Sequence, residues 1–466
     1  MSQSTENQLR FEPVDGLTVR ADFDGGALSS DFGPLLLRSV DCQIGLTERL
    51  ASALTDDRHP SYVTHKTSDL IAQRVYQIAC AYEDGNDANT LRHDPIFQMG
   101  MGRRPLAADS ELASGATLSR LENATSREDA YRMGAALVDQ FLASYAEPPE
   151  TIVLDMDHTD DTTHGQQALS FYNHHYGGFC YLPLLLFEGL SGRFITAALR
   201  PGKRPSGAEN ASIIKRVLRR IRQAWPDTHI LLRGDGHFAN PELMALTEQD
   251  PNLDFLFGLA GNNRLNQIAN PYLEANRRKH ATRCEQARRL GEAPPQATRT
   301  YEELAYAARS WPFQPRVVVK AEVMSLGVNR RFVVTSLTEP DPELLYQELY
   351  TARGQDENFI KMVKNDLSAD RTSASGFWAN QMRLLFSCAA YVLHHALRTQ
   401  VLAHTELSRA QPTSVILKLF KLAVRVVPYK DRVKLHLPTG CPVQGLLHQV
   451  TEILYQAGRS IRPQPG

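Results

Sequence analysis

The chain has 466 residues, of which 42% are hydrophobic and 22% are charged, and this is an ordinary globular composition. Its length exceeds what one small hydrophobic core needs, so two to four domains are expected. No run of eighteen apolar residues occurs, which predicts no membrane span, and the N-terminal MSQSTENQLRFEP lacks the apolar segment of a secretory signal. The six cysteines form no CxxC motif, which argues against a disulfide framework or a zinc ribbon and favours a cytoplasmic location.

The formal net charge of −1 excludes a simple basic protein that coats DNA. Basic residues are nevertheless concentrated in two stretches. Residues 193–222 hold nine Lys or Arg and one acid, and residues 264–289 hold seven Lys or Arg and two acids. Such patches can bind a polyanion locally on a neutral protein, although solvated helix faces would show the same pattern.

The N-terminal region, residues 1–147, is predicted to be mostly helical, with amphipathic segments at 68–85 and 127–146. Between them, DSELASGATLSRLEN (109–123) fits a short helix, a turn at Gly115 and a second helix, which would suit a helix-turn-helix element for DNA binding. The pair Pro148–Pro149 marks the end of this region.

The next part of the chain has the element order of an α/β fold with an RNase H-like (retroviral-integrase-like) catalytic core, predicted at residues 148–262. Strands are predicted at 151–161, 181–189, 192–202, 229–238 and 253–261, and helices at 209–225 and 241–249. The resulting order β, β, β, α, β, α, β is that of a mixed five-stranded sheet covered by helices.

A basic and β-rich insertion is predicted at residues 263–336. Residues 262–315 read as loop-rich, and they are followed by a hairpin formed by RVVVKAEVMS (316–325) and RRFVVTSL (330–337). The core then resumes at 337–400 with two helices, the second of them apolar (377–398). A C-terminal region, 401–466, follows and is a candidate for dimerisation.

Two carboxylates fall where strands one and four of such a sheet lie side by side, Asp157 in LDMDHTDD and Asp235 in LRGDGHF. Carboxylates on apolar strands are costly unless they bind something positive, and two hard oxygen ligands favour magnesium or manganese over zinc. Asp155 lies on the same predicted face as Asp157 and is an alternative ligand.

A third carboxylate is predicted on YTARGQDENFIKMVK (350–364), where Asp341–Pro342 opens a helix. On a uniform α-helix, Tyr350, Arg353, Glu357 and Lys364 share an arc of about 60°. Glu357 would complete the metal site, while Arg353 and Lys364 would hold phosphates and Tyr350 would donate to a phosphate or stack on a base. Gly354 is a possible break in this helix.

The chemistry expected of such a site is phosphodiester cleavage with two Mg²⁺ or Mn²⁺ ions, in which Asp157 bridges the ions. Other readings of the same region are weaker. The histidines at 158, 164, 174, 175 and 237 match no zinc spacing, and LRGDGH lacks the GxxxxGK[ST] of a nucleotide-binding loop.

The spacing Tyr350, Arg353, Glu357, Lys364 resembles the Tyr-(2)-Arg-(3)-Glu-(6)-Lys signature of DDE transposases from bacterial insertion sequences. Asp157-His-Thr159 and RGDGHF (233–238) resemble the two aspartate motifs of that family. More narrowly, the segments ATLSRLEN, LDMDHTDDTTHGQQ, LRPG, NRRFVVTSL and RGQDENFIK are similar to the thirteen-eighty group of insertion-sequence transposases.

This resemblance implies a cut-and-paste enzyme of the bacterial nucleoid that binds terminal inverted repeats, pairs them in a homodimer, cuts with Mg²⁺ and joins the 3′-hydroxyls to target DNA. The metal ligands would be Asp157, Asp235 and Glu357, and the offset of Thr159 favours Asp157 over Asp155. The residues expected to contact DNA are Tyr350, Arg353, Lys364, Lys203, Arg204 and Lys320.

Two other functions remain open from the sequence. One is an RNase H-like nuclease or resolvase that cleaves without strand transfer, which the large insertion disfavours. The other is a decayed copy that binds DNA as a repressor, which the presence of all three carboxylates disfavours.

Overall fold

The computed structural model describes residues 8–461, with the side chains of the last two excluded. Residues 1–7 and 462–466, which begin the predicted N-terminal region and end the predicted C-terminal region, lie outside this range. The described residues fall into two compact units, one formed by Thr125–Cys388 and the other by the remainder of the chain. No helix in the described part is long and apolar enough to cross a membrane.

An eight-stranded mixed sheet organises the unit Thr125–Cys388. Its strands in chain order are β1 (Thr151–His158), β2 (Leu184–Glu188), β3 (Phe194–Ala198), β4 (His229–Gly234), β5 (Leu253–Leu259), β6 (Ala297–Leu304), β7 (Arg316–Met324) and β8 (Gly327–Thr335). They lie side by side in the order β6-β7-β8-β5-β4-β1-β2-β3. Strand β4 pairs in parallel with β1 and β5, and every other neighbouring pair is antiparallel.

Helices cover this sheet and explain why its central strands are almost continuously apolar, since both faces are buried. The helices Arg127–Ala143 and Gly207–Ala224 each begin with a capping box, formed by Ser126 with Asp129 and by Ser206 with Glu209. One face of Gly207–Ala224 packs Ile214, Val217, Leu218 and Ile221 into the main core, beside residues of β1, β4 and β5. The remaining elements before the insertion are the helix Pro241–Met244, the 3₁₀ turn Thr247–Gln249 and a small sheet of Asp161–Thr162, Phe171–Asn173 and Gly178–Tyr181.

The insertion after β5 differs from its prediction, because residues 263–290 are helical and not a loop. The helix Asn263–Leu290 begins where the Asn262 side chain accepts a hydrogen bond from the amide of Leu265. Leu265, Ala269 and Leu273 recur every four residues and are buried. This narrow apolar stripe in a very polar helix is easily missed in the sequence. The predicted hairpin is confirmed as β7 and β8, which extend the same sheet beyond β5.

The chain that carries YTARGQDENFIKMVK is helical from 342 to 366 but not uniform. It comprises the α-turn Pro342–Leu344, a wide π-type turn Leu345–Tyr350, a 3₁₀ turn Thr351–Arg353, the α-helix Gly354–Lys361 and a second π-type turn Met362–Asp366. The prediction of a uniform α-helix, from which the arc of about 60° follows, is therefore wrong. Gly354 keeps helical backbone angles and does not break the segment.

The other unit combines short strands with helices. The hairpin Leu9–Val14 and Leu17–Ala21 stands apart from a sheet of Leu28–Ser29, Val424–Pro428 and Val433–His436. The helical elements that precede Thr125 are Gly33–Ile44, Leu46–Ser52, Pro60–Tyr62, Thr67–Ala79, Gly85–Asp87, Ala88–Leu91, Pro95–Gly100 and Gly115–Asn123. Those at the C-terminal end are Phe377–Ala396, Leu397–Val401, Pro412–Val415, Ile416–Phe420 and Gln444–Ile461, and the boundary of the two units falls inside the first of these.

The predicted helix-turn-helix at 109–123 is wrong in its first half. The helix begins at Gly115, and residues 109–114 are irregular. The buried Gln73 side chain donates to the carbonyl of Ala113 at 2.8 Å and accepts from its amide at 3.0 Å. A side chain thus replaces the helical hydrogen bonds of this segment.

Candidate active site

Asp157 and Asp235 lie at the ends of two adjacent parallel strands. Asp157 is near the end of β1, and Asp235 directly follows β4, whose last residue, Gly234, pairs with Met156. Both aspartates line one cavity of about 610 Å³. Burial, and then the negative charge of Asp235, raise the pKa of Asp157 to about 6. The two carboxylates therefore face the same cavity, where the charge of Asp235 disfavours ionisation of Asp157.

A histidine next to Asp235 sets the ionisation of that carboxylate. The ring Nδ1 of His237 lies 3.0 Å from Asp235 Oδ2, and the His237 amide donates to Oδ1 at 2.9 Å. Burial works to raise the pKa of Asp235, but these hydrogen bonds outweigh it and hold that pKa below its usual value. The hydrogen bond in turn raises the pKa of His237. Asp235 is thus kept ionised while Asp157 is not far from protonation.

Asp155, the alternative ligand, has a different environment. Its side chain is fully buried, and its two oxygens accept from Arg233 Nε at 2.6 Å and Nη2 at 2.7 Å. A bidentate guanidinium satisfies this carboxylate within the protein. Of the two strand-borne candidates, Asp157 is the one that opens onto the cavity.

The 342–366 helical segment brings Arg353 onto Asp157. Arg353 Nη1 donates to Asp157 Oδ2 at 3.0 Å, and its Nη2 lies 3.9 Å from Glu357 Oε1. Tyr350 packs against Tyr346 with ring centroids 5.5 Å apart. Burial raises the pKa of Tyr350, and the charges of Arg353 and Asp235 also act on it, in opposite directions. The structure therefore brings Asp157, Asp235, Tyr350, Arg353 and Glu357 together.

Lys364 contacts the same edge of the sheet a few residues further on. Its Nζ lies 2.7 Å from Asp160 Oδ1, in the loop that follows β1. The sequence analysis predicts no partner for Asp160, so this ion pair was missed. Because Asp160 and Lys364 are 204 residues apart, no local pattern indicates their contact.

The cavity beside the two aspartates also has aromatic and basic walls. Tyr172 and Tyr176, from the small sheet and its turn, line it together with Lys203 and Arg204. Lys203 Nζ lies 4.1 Å from the centre of the Phe171 ring, a cation–π contact. Lys203 and Arg204 are exposed, as DNA contacts would be. Lys320 is placed elsewhere, because its Nζ pairs with Glu322 at 2.9 Å on β7.

Asp157 and Asp235 provide the oxygen donors that a hard divalent cation prefers, but the third predicted ligand, Glu357, points outward. Glu357 is 58% exposed at its side chain, and within residues 8–461 no three His, Cys, Asp or Glu side chains converge closely enough to hold an ion. Beside Glu357, Asp356 is fully buried, and neither of its oxygens has a hydrogen-bond partner among the described residues. A buried carboxylate without a hydrogen-bond partner is rare in folded proteins.

Asp356 was missed by the sequence reasoning, although a signal was available. On the helical projection it falls within the arc of Phe359, Ile360 and Val363, which reads as the buried side. A carboxylate inside a buried apolar arc is a strong indication of a specific role.

Comparison with known proteins identifies the family. The profile described as Transposase DDE domain group 1 matches residues 11–459, which is nearly the whole chain. This chain belongs to that DDE transposase family. No curated protein matches it.

Six solved chains match this DDE transposase in structure. One is that of the cryo-EM structure of a piggyBac transposase synaptic complex with hairpin DNA, at 11% sequence identity and a TM-score of 0.45. The match covers 93% of this chain and 83% of that chain.

Proposed function

We propose that this protein is an active transposase that binds the terminal inverted repeats of an insertion sequence, cleaves the ends and joins them to target DNA by strand transfer. The observation that carries the proposal is the placement of Asp157 near the end of β1 and of Asp235 directly after the neighbouring parallel strand β4, with Arg353 and Tyr350 beside them. The order β3-β2-β1-β4-β5, with only β1, β4 and β5 parallel, supports an RNase H-like core.

The proposed metal ligands are Asp157, Asp235 and Glu357, with Mg²⁺ or Mn²⁺ as the physiological ion. Two such ions held by these residues would supply activation of the attacking water or hydroxyl and stabilisation of the leaving oxygen. The protein would supply the carboxylate oxygens of Asp157 and Asp235 at one edge of the sheet and, in Glu357, a carboxylate exposed to solvent. His237 keeps Asp235 ionised for this purpose.

The cationic groups around the aspartates would hold the DNA strand. Arg353 can present a forked donor to a phosphate once it leaves Asp157, and Lys364 provides a point charge a short distance away. Tyr350 supplies a hydroxyl on a half-buried ring. The exposed Lys203 and Arg204 extend the positive surface along the cavity, whose tyrosines can stack on bases. Lys320, held by Glu322, is proposed as a weaker contact on the insertion.

The remaining regions have roles that follow from the resemblance to insertion-sequence transposases with the Tyr-Arg-Glu-Lys signature. Residues 1–147 would recognise the inverted repeats, and residues 401–466 would support the homodimer that pairs two ends. Residues 148–262 and 337–400 would form the core around the insertion 263–336. The close match of LDMDHTDDTTHGQQ and RGQDENFIK favours the thirteen-eighty group.

The test uses purified full-length protein, a plasmid carrying the two inverted repeats that flank this gene, a target plasmid and Mg²⁺. We expect cleaved ends and joined products, and a loss of about 1,000-fold or more in Asp157→Asn, Asp235→Asn and Glu357→Gln. Glu348→Gln is the matched control, because Glu348 is an exposed acid on the same helical segment.

Each outcome distinguishes the alternatives. Cleavage that never yields joined products would support a nuclease or resolvase. Binding of the ends without cleavage at any Mg²⁺ or Mn²⁺ concentration would support a repressor. Cleavage that survives all three substitutions would show that the catalytic site lies elsewhere.

A further inference from the structure

A second cavity lies at the β3 edge of the large sheet, and the proposed function makes no use of it. Its volume is about 540 Å³, which is in the range of sites for small organic ligands. Its walls come from the helices Arg127–Ala143 and Gly207–Ala224, from β3 and from the start of the helix Phe377–Ala396. Among the described residues, no lining side chain is shared with the cavity of the two aspartates, so the two cavities are distinct.

Two side chains fix the walls of this cavity to β3 and to the residue that follows it. The Thr196 hydroxyl donates to the carbonyl of Gly134 at 2.9 Å, which holds the first of these helices on the strand. The buried Gln381 side chain accepts from the amide of Leu199, one helical turn after Trp378. The cavity is therefore built into the fold and needs no ligand to form.

Guanidinium groups dominate the polar lining of the cavity. The described lining contains five arginines and one acid, which are Arg127, Arg200, Arg216, Arg219, Arg220 and Glu209. Arg200 and Arg220 are paired with acids, whereas Arg216 and Arg219 are exposed about one turn apart on their helix. This excess of positive charge attracts an anion, and the forked donors of arginine suit phosphate oxygens.

Two aromatic rings open onto the same cavity. Tyr131 is 53% exposed, and the guanidinium carbon of Arg216 lies 5.7 Å from the centre of its ring. Trp378 is 36% exposed and packs edge-on against Phe377, with ring centroids 5.0 Å apart. Apolar side chains such as the buried Val217 complete the wall. The cavity thus offers ring faces and guanidinium planes, and nucleic acid bases stack on both.

We propose that this cavity binds a nucleotide, with its base against the aromatic wall and its phosphate on Arg216 and Arg219. A fatty acid would require one cation and no ring face, whereas this cavity has several guanidinium groups and two aromatic rings. A free nucleotide and an unpaired nucleotide of a DNA strand present the same chemistry. Residues 199–201 line this cavity and residues 202–205 line that of the aspartates, so one strand can pass from one cavity to the other.

The experiment follows the tryptophan fluorescence of the full-length protein without metal. It is titrated with adenosine 5′-monophosphate and, separately, with single-stranded oligothymidylate. A base that stacks on Trp378 quenches its emission, and Trp378→Phe identifies the share of the signal that this tryptophan contributes.

We expect saturable quenching, with an affinity at least about tenfold lower in the double variant Arg216→Gln, Arg219→Gln. Both arginines are exposed, so their replacement should not disturb the fold. Lys215→Gln is the matched control, because Lys215 is an exposed cation on the same helix and does not line the cavity. It should bind as the unaltered protein does.

The two probes distinguish the sources of the nucleotide. Binding of the monophosphate that is weakened in the double variant, whether or not the oligonucleotide also binds, would identify a site for a free nucleotide. Binding of the oligonucleotide alone, weakened in the same way, would identify a site for the unpaired part of a DNA strand. Quenching by neither probe, or an affinity that the double variant retains, would overturn the inference. Failure of the proposed function is a separate result, because it is measured by cleavage of inverted-repeat DNA with Mg²⁺ and this titration contains neither.

Discussion

The guanidinium of Arg353 rests on the carboxylate of Asp157, with Nη1 donating to Oδ2 at 3.0 Å. Burial and the charge of Asp235 raise the pKa of Asp157 to about 6, and Arg353 acts against both. One side chain therefore does two things. It keeps Asp157 ionised near neutral pH, and it covers the oxygen that a metal ion would bind.

Replacement of Arg353 by Gln should move the acid limit of metal binding to higher pH. Without the guanidinium the pKa of Asp157 rises further above 6, and the carboxylate must be ionised to hold a cation. Mn²⁺ binding, titrated between pH 5 and 8, should therefore begin at a higher pH in the variant. Cleavage of end DNA at pH 7 should fall by about 100-fold, since a phosphate donor is also lost.

Lys361→Gln is the control for this titration, because Lys361 is an exposed cation on the same helix and does not line the cavity. It should leave the pH profile unchanged. A profile of Arg353→Gln that overlays that of the unaltered protein would show that Arg353 does not influence Asp157 in solution.

The ion pair of Asp155 with Arg233 should stabilise the fold and take no part in catalysis. Asp155→Asn leaves a buried guanidinium without its bidentate partner and should cost about 3–5 kcal/mol in the free energy of unfolding. Asp157→Asn relieves repulsion with Asp235 and should cost little. Urea unfolding of both variants measures the difference. If Asp155→Asn were as stable as the unaltered protein and inactive, Asp155 and not Asp157 would be the first catalytic carboxylate.

Gly258 on β5 has no side chain, and this allows Tyr350 and the loop after Asp235 to lie directly against the strand. A Cβ at Gly258 would lie 2.5 Å from the Tyr350 hydroxyl and 3.0 Å from the backbone nitrogen of Gly236, which follows Asp235. Gly258→Ala should therefore displace both and lower end cleavage by about 10- to 100-fold while every catalytic side chain remains. Gly236→Ala is the matched control, since its Cβ would meet nothing closer than 3.7 Å. Equal activity of the two variants would contradict this packing.

The part of the site that could be predicted from the sequence is the part that lies at strand ends. Apolar runs that end in Asp157 and Asp235 are visible in the chain, and parallel pairing of β1 with β4 then brings those residues together. The ion pair of Asp160 with Lys364 depends on tertiary packing between distant segments, which no periodicity encodes. The π-type turns at Leu345–Tyr350 and Met362–Asp366 likewise have no compositional signal, so a uniform helix was the natural assumption.

Lys203 and Arg204 should contribute to DNA affinity through charge. Replacing both by Gln removes two exposed cations beside the cavity, so the slope of log affinity against log salt should fall by about 2. Binding of an inverted-repeat duplex, measured by fluorescence anisotropy between 50 and 200 mM salt as a convenient range, gives this slope. Lys418→Gln, an exposed cation in the other unit, should leave it unchanged. An unaltered slope in the double variant would place the DNA elsewhere.

Asp161 should make the stability of the protein fall as pH rises. It is buried, one oxygen accepts from the Thr372 hydroxyl at 2.6 Å, and burial raises its pKa from 3.8 to about 8. The unfolded chain thus loses this proton at a lower pH than the folded chain does. The stability contributed by the neutral carboxyl is complete below pH 3.8 and is lost progressively as pH rises to about 8.

Asp161→Asn cannot ionise and keeps an oxygen that can accept from Thr372, so it escapes this loss. We expect the variant to match the unaltered protein near pH 4 and to exceed it at pH 8 by on the order of 2–4 kcal/mol in the free energy of unfolding. Urea unfolding from pH 4 to pH 9 measures the difference, with the exposed Asp227→Asn as a control of the same charge change. A difference that stays constant with pH would mean that Asp161 is ionised in the folded protein, and the hydroxyl of Thr372 would then be donating to a buried charge.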